Sequence, residues 1–103
     1  MDKTNAREIA RKYIIFLKNN NFNIEKAYLF GSHAKGNVTE NSDIDLAVVF
    51  RELEDSFDMQ VQLMKLRRKI DTRIEPHPFL ESDFDDSNPF VREILDTGLE
   101  IEA

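Results

Sequence analysis

No cysteine occurs anywhere in the chain, which excludes disulfides and thiolate metal sites and fits a reducing compartment. Low-complexity tracts and internal repeats are missing too, and no linker divides the 103 residues. A single domain over residues 1–103 is the expectation. No apolar run approaches the length needed to cross a bilayer, and the N-terminus lacks the apolar stretch of a signal peptide. The chain is therefore expected to be soluble and cytoplasmic, with no membrane association. Basic residues are the last shortfall: 14 Lys and Arg stand against 20 Asp and Glu, a formal net charge of −6. Sequence-independent nucleic-acid binding depends on Lys and Arg displacing counterions, so a long DNA or RNA substrate is disfavoured. An acidic protein that grips a polyphosphate needs metal ions and aimed backbone N–H groups to offset the repulsion.

What is present suffices for one core. Hydrophobic residues make up 41% of the chain, with eight Phe and no Trp. So small a domain buries a reduced fraction of its surface, which leaves room for a homo- or hetero-oligomer. Asn5 with Glu8 forms a capping-box pattern, and Ile9, Tyr13, Phe16 and Leu17 recur at helical spacing. A helix over Asn5 to Asn19 follows, ended by Asn19, Asn20 and Asn21. Ala27–Phe30 reads as a buried strand entering a tight turn at Gly31 and Ser32. Residues 32–42 read as a loop, and Asp43 to Phe50 as a strand running from an exposed end into the core.

A second helix is predicted over Ser56 to Lys69, with Arg67, Arg68 and Lys69 suiting its C-terminal dipole. Ile70 to Glu75 alternates as a third strand that stops at Pro76 and Pro78. Asn88-Pro89 starts a last helix, and Gly98 stops it. The order helix, strand, strand, helix, strand, helix gives an α/β (α+β) chain, a small mixed β-sheet flanked by helices. The strand–helix–strand unit makes the second and third strands parallel neighbours, so they start at one sheet edge.

Asp43 and Asp45, two apart on a strand, project from one face. Neighbouring strands lie about 4.8 Å apart, so Asp71 at the start of the third strand is expected beside the pair. Three crowded carboxylates repel one another unless a cation joins them, and Mg²⁺ prefers such oxygen ligands together with substrate phosphates. Two ions roughly 3.5–4 Å apart could clamp an in-line phosphoryl displacement. Gly31 permits a positive φ and close approach of a ligand, and the following N–H groups and the Ser32 hydroxyl can face a phosphate.

The run Gly31-Ser32-His33-Ala34-Lys35-Gly36, followed after six residues by Asp43-Ile44-Asp45-Leu46, resembles the signature of the DNA polymerase beta nucleotidyltransferase superfamily. Within it the chain looks like the minimal nucleotidyltransferases. Arg68 to Ile74 is similar to the segment holding that superfamily's third carboxylate. The resemblance implies a polymerase beta palm-like fold and a Mg²⁺-dependent enzyme that uses a nucleoside triphosphate, above all ATP. It further implies nucleotide binding by Gly31 and Ser32, metal ligation by Asp43, Asp45 and Asp71, and deprotonation of an acceptor hydroxyl helped by Asp71. Members of this class are often paired with HEPN-domain toxins, and some act as antitoxins by adenylylating them, so the resemblance implies a HEPN-domain partner protein.

Glu75 rivals Asp71, because it falls on the same face of the third strand; Asp71 is preferred for lying at the strand start. Lys35 is as readily a solvated loop lysine as a phosphate ligand, and His33 carries no assigned role. Arg73 reads as a structural ion-pair partner ahead of a substrate contact, and His77, between two prolines, as a turn residue ahead of one at the site mouth. The acidic run of Glu81, Asp83, Asp85 and Asp86 reads as a solvated loop. Two other functions remain open at this point. One is transfer to a small molecule, and the other is a non-catalytic module that neutralises a partner by covering it.

Overall fold

A computed structural model describes residues 3–31, 34 and 43–103. Helix α1 spans Lys3–Asn19 and already runs through Asn5, so the capping box expected there is not where the helix begins. Its end is where the three asparagines predict it. Asn21 adopts a left-handed φ of 69°, which Asn tolerates, and Phe22 N–H closes the turn on the Leu17 carbonyl at 3.1 Å.

Strand β1 (Ile24–Phe30) begins three residues earlier than its apolar run, and β2 covers Ile44–Phe50. Helix α2 (Ser56–Leu66) is capped by the Asp55 carboxylate, which accepts the Asp58 N–H at 3.1 Å. A 3₁₀ turn over Arg67–Lys69 follows it. After β3 (Ile74–Leu80), helix α3 (Pro89–Thr97) starts on the Asn88 cap, which accepts the Phe90 N–H at 2.9 Å. Gly98 closes that helix, and β4 is the pair Leu99–Glu100. No helix among the described residues is long and apolar enough to cross a membrane.

The strands form one mixed sheet in the order β3-β2-β1-β4. β1 runs antiparallel to both neighbours, and β2 and β3 are parallel, as the crossover rule requires. The third strand corrects the sequence reading. It starts at Ile74 instead of Ile70 and passes through Pro76 and Pro78. The Ile70 and Asp71 N–H groups turn back onto the Arg67 carbonyl at 3.0 and 2.8 Å, so that stretch is a turn.

The prolines are tolerated because β3 lies at the edge of the sheet. Residues 73, 75, 77 and 79 direct their backbone groups toward β2, beginning with the Arg73 carbonyl, which accepts the Ile44 N–H at 2.8 Å. Residues 74, 76 and 78 face outward, where proline's missing N–H costs no ladder bond. Their carbonyls are used instead: Arg67 Nη1 donates to Ile74 O at 2.9 Å and Gln60 Nε2 to Pro76 O at 3.0 Å.

One sheet face is sealed by α1 and α2. Leu29, Ile44, Leu46, Val48, Phe50 and Ile74 meet Tyr13, Ile14, Leu17 and Leu63, all buried. The Tyr13 hydroxyl crosses this layer and donates to the Leu63 carbonyl at 2.7 Å, tying one helix to the other. Burial pushes its pKa far above the ordinary tyrosine value, with Arg67 opposing weakly, so Tyr13 stays a neutral donor. The opposite face carries Tyr28, Ala47 and Ile94, with Phe30, Phe79 and Phe84 packed against them.

Candidate active site

The end of β1 and the beginning of β2 meet at a hydrogen-bonded pair, Phe30 opposite Asp45. The next residue, Gly31, turns the chain with φ +76°. A Cβ built on Gly31 would lie 2.5 Å from Asp45 Oδ2 and 3.3 Å from its Cγ. Both the left-handed backbone and the carboxylate against it therefore select glycine. The Ala34 N–H returns to the Gly31 carbonyl at 3.2 Å, as a tight turn demands. Ser32, the second residue expected to hold phosphate, lies outside the described residues, as do His33, Lys35 and Gly36.

Asp43 is exposed and sits one residue ahead of β2, and Asp45 is half-buried as its second residue. The parallel register then decides what stands beside them. Ile44 pairs with Ile74 and Asp45 with Glu75. Asp71 is not level with the pair, because the turn before β3 holds it three residues short of the strand. Its Oδ1 accepts the Arg73 N–H at 2.9 Å and Nε at 3.0 Å, and its Oδ2 meets Arg73 Nη2 at 2.7 Å. These bonds from Arg73 hold the Asp71 carboxyl below the usual range and raise the Arg73 guanidinium in return. Arg73 is thus the structural ion-pair partner that the sequence suggests. Glu75 has a looser companion in Arg67, whose Nη1 stands 3.5 Å from Oε1.

The sequence favours a turn residue at His77, yet it lies on β3 with Nε2 3.4 Å from Asp45 Oδ1. The signal was present in the alternation Glu75, His77, Phe79, which continues across both prolines. Proline's reputation as a strand breaker concealed it.

Among the described residues, no three acidic or histidine side chains are already gathered into a metal-holding group. Mg²⁺ does not need such a cage. It retains several waters and is commonly held by one or two carboxylates together with substrate phosphates. Asp43, Asp45 and Glu75 are hard oxygen donors at the same sheet edge, and their chemistry fits that ion.

A family model described as polymerase beta, nucleotidyltransferase matches residues 12–101. The chain belongs to this family. A Methanocaldococcus jannaschii relative, provisionally named a protein adenylyltransferase, is 40% identical over 65 residues. That stretch is 62% of this chain and 64% of the relative, so the match spans less than two thirds of the relative's length. A provisionally named nucleotidyltransferase from Sulfolobus solfataricus has a similar crystal structure, with TM-score 0.66 and 22% identity, covering 95% of this chain and 80% of the other. A Shewanella oneidensis complex of a tri-AMPylated HEPN toxin with its MNT antitoxin contains a chain similar at TM-score 0.57 and 17% identity. There 94% of this chain and 72% of that one are covered. The two structural likenesses show that the nucleotidyltransferase fold is shared.

Proposed function

We propose that the protein is a Mg²⁺-dependent nucleotidyltransferase that moves AMP from ATP to a hydroxyl of a partner protein, serving as antitoxin to a HEPN-domain toxin. The observation that carries the reading is Gly31, bent at positive φ against the Asp45 carboxylate, with Glu75 in register on the next strand. Family membership, the adenylyltransferase name of the archaeal relative and the AMPylated toxin beside a similar fold all support it.

In this reading, backbone N–H groups after Gly31 and the Ser32 hydroxyl hold the triphosphate. Asp43 and Asp45 hold the metal ions, which when bound offset phosphate charge and stabilise the attacking and leaving oxygens. Two residues compete for the third carboxylate. Asp71 is the one favoured by sequence, but Arg73 occupies both of its oxygens. The register supports Glu75, which we assign as the group that takes the acceptor proton. The acceptor oxygen then bonds to the α-phosphorus, the bond to the β-phosphate bridge breaks, and pyrophosphate leaves.

The test is to incubate the protein with Mg²⁺, each nucleoside triphosphate and the product of the neighbouring gene, then measure intact masses. A gain of one AMP per modified hydroxyl is expected with ATP. No gain with any triphosphate would sink the reading. A double Asp43→Asn, Asp45→Asn variant that cannot transfer but still neutralises the partner would show that covering, not chemistry, is the antitoxin mechanism.

A further inference from the structure

The open side of the second sheet face carries rings that the transfer chemistry above does not use. Phe30, the last residue of β1, lies 5.3 Å from the His77 ring and 5.7 Å, edge-on, from Phe90. His77 and Phe90 are 6.4 Å apart. Together the three rings make a small shelf. One end reaches the carboxylates through His77, 3.4 Å from Asp45 Oδ1. The other end is Phe90, which is 50% exposed in the first turn of α3. Burial on that helix is supplied by Val91 and Ile94, while Phe90 keeps half its surface free and meets the partly buried Phe79 ring at 6.0 Å.

Beside the shelf opens a cavity of about 250 Å³, lined by Phe30, Gly31, Phe90, Glu93, Ile94 and Thr97. Pockets for whole small molecules run roughly 300–1,000 Å³, so this one suits part of a ligand, such as a single flat ring. Gly31 belongs to both places. It touches Asp45 on one side and lines the cavity on the other. A nucleotide whose phosphates are gripped at this turn can reach the cavity with its other end.

We infer that Phe30, His77 and Phe90 form the nucleobase subsite, with a purine stacked on Phe90. This inference rests on the nucleotidyl-transfer reading above. Stacking on an aromatic ring tolerates any base and favours the larger one, so ATP and GTP bind more tightly here than CTP and UTP.

The absence of tryptophan allows a direct test. In a Phe90→Trp variant the new ring is the sole indole, and Mg²⁺-ATP quenches its fluorescence while Mg²⁺-tripolyphosphate does not. In Phe90→Ala the Kd for ATP rises about tenfold, Phe90→Tyr restores it, and tripolyphosphate affinity is unchanged in every variant. Unchanged tripolyphosphate binding also reports that the Gly31 turn is intact. If Phe90→Ala weakens both ligands equally, or neither, the subsite is wrong while the transfer reading stands. If Phe90→Ala spares ATP but raises KM for the acceptor protein, the shelf belongs to the acceptor and the inference is overturned. If the unmodified protein binds neither ligand, both proposals fall together.

Discussion

On one side of the sheet, Leu29, Leu46, Val48 and Phe50 are closed over by Tyr13, Leu17 and Leu63, with almost no surface left. On the other, Phe30, Phe79 and Phe84 are only partly buried, and Asp45, Glu75 and His77 share the strand faces with them. The same three strands build both sides. Alternation along β2 sends Ile44, Leu46 and Val48 one way and Asp45 and Ala47 the other. One side is built for cohesion, and the other exposes charged groups that a cohesive layer could not hold without partners. Changes on the sealed side should therefore cost stability, and changes on the open side should cost chemistry.

The widest effect that tests this division is on turnover. On the proposed reading, in which Asp45 would hold a metal ion, Asp45→Asn should lower AMP transfer on the order of 10³-fold, because such charge is worth several kcal/mol at the transition state. Thermal unfolding should be nearly unmoved, and a melting temperature falling with activity would erase the distinction. Glu75→Gln should behave like Asp45→Asn if Glu75 is the third carboxylate.

From the sealed side, Leu63→Ala should cost about 2–5 kcal/mol in urea unfolding, with transfer per folded molecule preserved. Tyr13→Phe is milder, about 1 kcal/mol, since the Leu63 carbonyl keeps its bond from the Arg67 N–H. It should also change the alkaline limb. A raised folded-state pKa stabilises fully below the ordinary tyrosine value near 10 and is lost as pH climbs past it. The variant should lack that loss.

The smallest effect is expected at Asp71→Asn, roughly 1 kcal/mol or less near neutrality. Here the folded-state pKa is depressed, so the contribution is complete above the unfolded value. It disappears as pH falls from about 4 through the folded value. The variant's acid unfolding should be flatter, and its transfer rate should stay close to that of the parent. A loss of transfer as deep as that of Glu75→Gln would return Asp71 to the site.

The element order, the parallel pairing of β2 with β3 and the position of Asp43 and Asp45 at one strand start were legible, because each follows from patterning and crossover geometry. The start of β3 was not. From Ile70 to Phe79 the sequence alternates almost without interruption, and a period of two does not say where pairing begins. The Ile70 and Asp71 N–H groups settled it by bonding back to Arg67. That shift of four residues exchanged Asp71 for Glu75 beside Asp45 and turned His77 from a turn residue into a strand neighbour of the carboxylates. Phe90 carried no signal of its own, since a ring in a first helical turn reads equally as core.

The outward prolines of β3 have one more consequence. A bare sheet border invites a strand from another molecule, and it does so through unpaired donors and acceptors. Pro76 and Pro78 offer no donor there, Arg67 and Gln60 already engage two of the carbonyls, and the opposite border is a strand of two residues. Growth of the sheet from copy to copy, the route to fibrils, is blunted at both ends. Association through either of these borders is therefore disfavoured.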